Sequence, residues 1–107
     1  MFTIREKADV DTAINRRATH VVFKNKRLVK QVESMPWVKH LDVRDLELKT
    51  LPRLPSTLIE LNCSENNLIQ LPILPWTLEK LDCSDNQLVR MTVLPHLKKF
   101  CCSNNQL

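Results

Sequence analysis

The chain of 107 residues contains no glycine. That excludes a phosphate loop, whose backbone needs glycine to close around the phosphate oxygens. It also shifts the work of tight turns to asparagine, the next most tolerant residue of the left-handed backbone region. Asn66-Asn67, Asn86 and Asn104-Asn105 are the expected turn residues. No apolar run approaches the length of a transmembrane helix. The N-terminus, MFTIREKADVD, is charged and lacks the apolar core of a secretory leader, so the cytosol is the expected compartment. No Ser-His-Asp or Cys-His arrangement stands apart from the repeated pattern described below. The chain is therefore expected not to be an enzyme, and to carry no cofactor.

What is present is an ordinary globular composition. The apolar fraction is 43%, enough to argue against disorder. The length allows one domain with one modest core. The formal net charge of +4 is unevenly placed. Residues 1–37 hold Arg5, Lys7, Arg16, Arg17, Lys24, Lys26, Arg27 and Lys30 against only Glu6, Asp9, Asp11 and Glu33, whereas the remainder balances.

The organising feature is a phrase written three times: LIELNCSENNLIQLPILPWT from Leu58, LEKLDCSDNQLVRMTVLPH from Leu78, and LKKFCCSNNQL from Leu97. A fixed period of this length means stacked supersecondary units. An earlier unit, residues 38–57, follows the same register, with Leu41, Val43, Leu48, Leu51 and Leu54 twenty residues ahead of Leu61, Cys63, Leu68, Leu71 and Leu74. It departs at Leu46, where the next unit has Asn66. Residues 18–37 form a degenerate first unit with Val21, Phe23 and Leu28 inward. Lys26 stands there in the asparagine's place, so that unit must turn differently. Residues 97–107 are a partial unit. Ahead of the repeats, Val10, Ala13 and Ile14 follow helical spacing, and residues 1–17 are expected to be a short helical cap started by Asp9 or Asp11.

Within each unit, Leu61 and Cys63 alternate with Glu60, Asn62 and Ser64, the period of a strand with one face in and one out. A short strand recurring at this interval pairs with its copies above and below, as a parallel sheet. The second half, Leu71-Pro72-Ile73-Leu74-Pro75, cannot be a long helix, because two prolines remove donors and fix φ. An extended return leg follows. Asn66, Asn86 and Asn105 end their strands pointing inward, where their amides can satisfy backbone groups of the turn and of neighbouring coils. Cys63, Cys83 and Cys102 share one repeat position and read as small apolar filler. With no leader, all four cysteines are expected to be reduced.

The phrase LxxLxCSxNxLxxLPxLPxTL resembles a leucine-rich repeat, in the short LPxLP variant found in bacterial effectors and in proteins of large DNA viruses. The resemblance covers residues 38–107 strongly and reaches back weakly to residue 18. It implies an α/β solenoid: a horseshoe with a concave parallel sheet, an extended convex side and an N-terminal helical cap. It implies a host-cytosolic or virion location and, as function, binding of another protein on the concave face. In the effectors such repeats precede a ubiquitin-ligase domain with a catalytic cysteine; nothing in this chain corresponds to it.

The strand register sets out the expected binding rows. His20, His40, Glu60, Lys80 and Lys99 form one, and Val22, Asp42, Asn62, Asp82 and Cys101 the next. Lys24, Arg44, Ser64, Ser84 and Ser103 form a third; Asn25, Asp45, Glu65, Asp85 and Asn104 form a rim, acidic at its centre and suited to a basic ligand. His20, His40 and Asp42 share a face, but such a surface set is usually accidental and no metal is expected. The alternative to concave-face binding is a structural or assembly role, such as a virion component. Its interface would be the uncapped last coil, with Leu97, Phe100, Cys102 and Leu107, giving a homodimer or larger assembly. The basic N-terminal third lacks a recognised nucleic-acid motif, so neither nucleic acid nor membrane is expected as a partner.

Overall fold

The computed structural model describes residues 1–91 and 96–107. Its spine is a six-stranded parallel sheet whose strands lie in chain order. The strands are β1 (Phe2–Ile4), β2 (His20–Phe23), β3 (His40–Asp42), β4 (Glu60–Asn62), β5 (Lys80–Asp82) and β6 (Lys99–Cys101). The register is the repeat register: Val21, Leu41, Leu61, Leu81 and Phe100 are successive partners. Each strand is three or four residues long, too short to be stable alone. Stacking one coil on the next is what buries its apolar face.

The core runs the length of the stack. Leu41, Val43, Leu58, Leu61, Cys63, Leu68, Leu78, Leu81, Cys83 and Leu88 are all buried, together with Val21 and Phe23 of the degenerate unit. Residues 48–57 and 68–77 contain neither helix nor strand, as their prolines require. Threonines tie these legs together. The Thr57 hydroxyl lies 2.9 Å from the Pro36 carbonyl and 2.8 Å from that of Val38, and Thr77 repeats the contact with Ser56 and Leu58.

The N-terminal segment differs from a simple helical cap. β1 precedes the helix and pairs in register with β2, Ile4 opposite Phe23. The helix α1 (Lys7–Arg16) then crosses, burying Val10 and Ala13. Its N-cap is Glu6, not Asp9 or Asp11; Asp9 instead accepts the backbone N–H groups of Arg5 and Glu6 on its Oδ2. A carboxylate in the first turn satisfies donors that the helix leaves open. The strand went unread because Phe2-Thr3-Ile4 belongs to no repeat.

In the first repeat the return leg is a 3₁₀ segment, Lys26–Ser34, burying Val29 and Val32. No proline interrupts it. Asn25, one residue earlier than the usual asparagine, accepts from Arg27 N–H and donates to the Arg5 carbonyl.

The asparagines at the repeat position hold the turns by side chain. Asn66 Oδ1 accepts from Leu46 and Leu48 N–H, both at 3.0 Å, and its Nδ2 lies within 3.1 Å of the Val43, Cys63 and Ser64 carbonyls. Asn86 accepts from Leu68 N–H and donates toward Cys63, Cys83 and Ser84; Asn105 accepts from Leu88 N–H and donates toward Cys83, Cys102 and Ser103. Three carbonyls share two hydrogens, so one N–H in each amide is bifurcated. Each amide joins its own coil to the one before. Leu46 lacks an amide, and Asn66 covers its coil from above.

The left-handed residues are not the ones expected. Positive φ falls on Asp45, Glu47, Glu65, Asp85 and Asn104, all between 55° and 58°, and at Arg17, the C-cap of α1. Of the expected asparagines only Asn104 is among them. Asn66 and Asn86 point inward as amides and the residue before each takes the turn, as Asp45 does before Leu46. That residue is exposed and needs only a side chain that reaches solvent.

Asn86→Ala leaves the Leu68 N–H without its partner, at about 1–3 kcal/mol, while the Cys63, Cys83 and Ser84 carbonyls keep donors from Asn66, Asn105 and Glu65. Urea denaturation should show a loss of about 1–3 kcal/mol, larger than for Asn105→Ala, whose site is only half-buried.

Candidate functional site

The concave face is built by the outward side chains of β2–β6. The row His20, His40, Glu60, Lys80, Lys99 stands in register across five strands. The His20 and His40 rings are 5.1 Å apart, tilted by 34°. His40 Nδ1 lies 3.0 Å from Glu60 Oε1. Both side chains are more than a third exposed, so this pair orients the imidazole more than it stabilises the fold. Among the described residues no group of three His, Cys, Asp or Glu is placed to hold a metal ion.

The second row is partly committed to structure. Asp42 Oδ1 accepts from Arg44 N–H, and Arg44 Nε reaches Asp42 Oδ2 at 3.3 Å. Asn62 and Asp82 accept from both the N–H and the hydroxyl of Ser64 and Ser84 respectively. These side-chain-closed turns hold Ser64 and Ser84 against the strand, and both serines are buried. Val22, placed outward by the register, is also buried. It sits between Thr3 of β1 and Asp42 of β3, so the added strand encloses that end of the row.

Asp45, Glu65 and Asp85 form an exposed rim whose backbones are laced together. Asp45 N–H donates to Ser64 C=O, Glu65 N–H to Ser84 C=O, and Asp85 N–H to Ser103 C=O, at 2.9–3.1 Å. The parallel strand spacing is about 4.8 Å, so like charges stand one coil apart and a cation brought alongside relieves their repulsion. Asp85 already accepts from Asn104 Nδ2 at 2.7 Å. Toward β4–β6 the face dips into an open depression of about 390 Å³, lined by Glu60, Asn62, Lys80, Asp82, Lys99, Phe100 and Cys101. Anions and cations therefore alternate within one shallow surface.

Of the residues expected at the last coil, Leu97 and Cys102 are half-buried, whereas Phe100 is 39% and Leu107 57% exposed. Phe100 thus belongs to the concave depression as well as to the inward column. The register alone hid this, because it placed Phe100 with the buried leucines. The sequence reading also passed over Ile69, Ile73, Trp76 and Val89, which are exposed on the return legs. The signal was available: Ile69, Ile73 and Trp76 fall between the buried Leu68, Leu71, Leu74 and Leu78, where the preceding unit has Lys49, Arg53 and Ser56, and Val89 is the copy of Ile69 twenty residues on.

All four cysteines are free thiols. Burial, together with the neighbouring Cys83 and Asp82, pushes the Cys63 thiol far up. Burial, with Cys102, Asp82 and Cys101 beside it, pushes Cys83 up to about 12.

The parallel stack, asparagine ladder and extended return legs define a leucine-rich-repeat solenoid, a class that serves generally as a protein-interaction scaffold. The chain is similar to a solved leucine-rich-repeat domain of a Shigella effector, at 27% identity and a TM-score of 0.51. The match covers 65% of this chain and 41% of that one. No protein-family model matches the chain, and no curated protein matches it. No described helix is long and apolar enough to cross a membrane.

Alkylation of the folded protein should modify Cys101 and spare Cys63 and Cys83. The raised thiol pKa values make stability fall with alkali. The unfolded chain releases these protons near the ordinary value of 9.0, while the folded chain keeps them, for Cys83 up to about 12. The contribution is full below pH 9 and is lost as pH rises through that window. Under reducing conditions, Cys83→Ala should flatten the decline of the unfolding free energy between pH 8.5 and 10.5, relative to its own value near pH 7.

Proposed function

We propose that the chain is a non-catalytic interaction module that binds a protein partner through its concave sheet. The observation that carries this is the in-register charged surface. Glu60, Lys80 and Lys99 stand along one row, beside Asp42, Asn62, Asp82 and Cys101, with the exposed carboxylates of Asp45, Glu65 and Asp85 at the edge. The open depression at β4–β6 offers Phe100 as an apolar contact among these charges. Such a mixture selects a partner by charge pattern more than by apolar area. The partner favoured by the rim is a protein segment bearing Lys or Arg, placed in the host cytosol if the chain acts as the effector domain it resembles.

A second reading rests on β6. One edge of this strand is unpaired among the described residues, and Phe100 and Leu107 are exposed beside it. A strand from a second copy or from a larger assembly would cover both. Light scattering during gel filtration separates the two: a strictly monomeric species across micromolar concentrations removes this second reading.

For the concave face, the triple reversal Asp45→Lys, Glu65→Lys, Asp85→Lys should abolish capture of the partner that the unaltered chain retains. These positions are exposed, so thermal unfolding should remain cooperative. Capture that survives the reversal unchanged contradicts a concave site.

A further inference from the structure

Folding sorts the charges by face. The return legs lie side by side on the convex surface. Arg53 N–H donates to Glu33 Oε2, the Thr77 hydroxyl to the Ser56 carbonyl, and Val89 N–H to the Ile69 carbonyl. On these legs (residues 26–36, 48–57, 68–77 and 88–91) every charged residue but one is a cation. The exception is Glu33, whose carboxylate accepts from the Arg53 backbone. The other acids of the repeats lie on the strands, directly before one in the case of Glu79, or on the turns that follow them.

Lys26, Lys30 and Lys49 line one open groove of about 540 Å³ with an apolar floor of Val29, Leu48 and Leu51. Among the described residues none of the three is ion-paired. One coil further along the same strip, the column of Arg53 continues as Ile73, 90% exposed, with Trp76 beside it at 74%. Ile69 and Val89, about half exposed, extend the apolar area. None of these four is needed by the core, whose leucines alternate with them.

We propose that this convex strip docks on an anionic phospholipid surface. Lys26, Lys30, Lys49 and Arg53 meet the headgroups, and Ile73 and Trp76 enter the interfacial layer. Charge complementarity fixes the sign of the surface: unpaired lysines on a strip almost without carboxylates attract anionic lipid. The adjoining side chains fix its kind. A soluble polyanion would occupy the lysines and leave Ile73 and Trp76 in water, whereas a bilayer interface takes tryptophan and aliphatic side chains together with cations. A convex strip can also rest on a plane, and the concave face stays free for its own partner. Order along the chain concealed this, because the cations and the apolar residues come from different repeats and meet only when the coils stack.

Flotation with phosphatidylcholine vesicles, alone and mixed with phosphatidylserine at roughly three to one, tests the proposal. The protein should associate with the mixed vesicles only, less as salt rises, and lose about fivefold in affinity for each of Lys26, Lys30 and Lys49 changed to Gln. Ile73→Ser should weaken association without altering thermal unfolding. Brominated acyl chains should quench the emission of the bound protein, but not that of Trp76→Phe, in which only Trp37 emits. Asp85→Lys on the opposite face should bind vesicles at least as well. The proposal is overturned if mixed vesicles bind nothing at low salt, or if binding ignores the lysine changes. It is equally overturned if polyaspartate binds as tightly as vesicles and Trp76 stays unquenched on them; the strip then serves an acidic polymer.

Discussion

The rest of the structure depends on the inward amides of three successive coils. A solenoid of strands this short cannot close its turns with sheet hydrogen bonds alone, and this chain has no glycine to relax the backbone. Asn66, Asn86 and Asn105 each accept from a backbone N–H of the preceding coil and donate toward carbonyls of both coils. Buried backbone groups that would cost about 1–3 kcal/mol apiece if left open are satisfied at every step. The residue before each asparagine takes the left-handed conformation, as Asp45 does before Leu46. Aspartate, glutamate and asparagine occupy that site, and their side chains become the rim of the concave face. The turn chemistry and the candidate site are thus one constraint seen from two sides.

The same stacking converts a chain whose repeats mix both signs of charge into a molecule with two unlike faces. Each repeat contributes its strand residues to one surface and its return leg to the other. Acids gather at the strand ends and cations on the legs of the first units, which give way to exposed Ile73 and Trp76. A protein partner on the concave sheet and a lipid surface on the convex strip, as proposed, would not compete for the same side chains.

Much of this was legible before any coordinates. The period, the strand register and the inward role of the asparagines follow from Leu61, Cys63 and Asn66 and their copies, because repetition averages out local ambiguity. What lay outside the repeat was read less well. β1 has no copy to compare with, and its partner β2 belongs to the most degenerate unit. Residues with a second local bond to make also differ from their expected exposure: Ser64 and Ser84 are placed at the surface by alternation, yet they are buried, with hydroxyls bonded to Asn62 and Asp82. Phe100 follows the buried register, but at β6 it is partly exposed. Alternation assigns a face; only packing on both sides decides burial.

Native-state hydrogen exchange at the Leu48, Leu68 and Leu88 amides tests the dependence on the asparagine ladder most directly. Each of these N–H groups lies in a segment without helix or strand and, among the described residues, donates only to an asparagine side chain. If the ladder holds the coils, Leu48 and Leu68 exchange only on global unfolding, as slowly as the strand amides of β4, with Leu88 somewhat faster beside half-buried Asn105. Exchange of Leu48 and Leu68 at the rate of an ordinary exposed turn, with β4 still protected, would contradict the account.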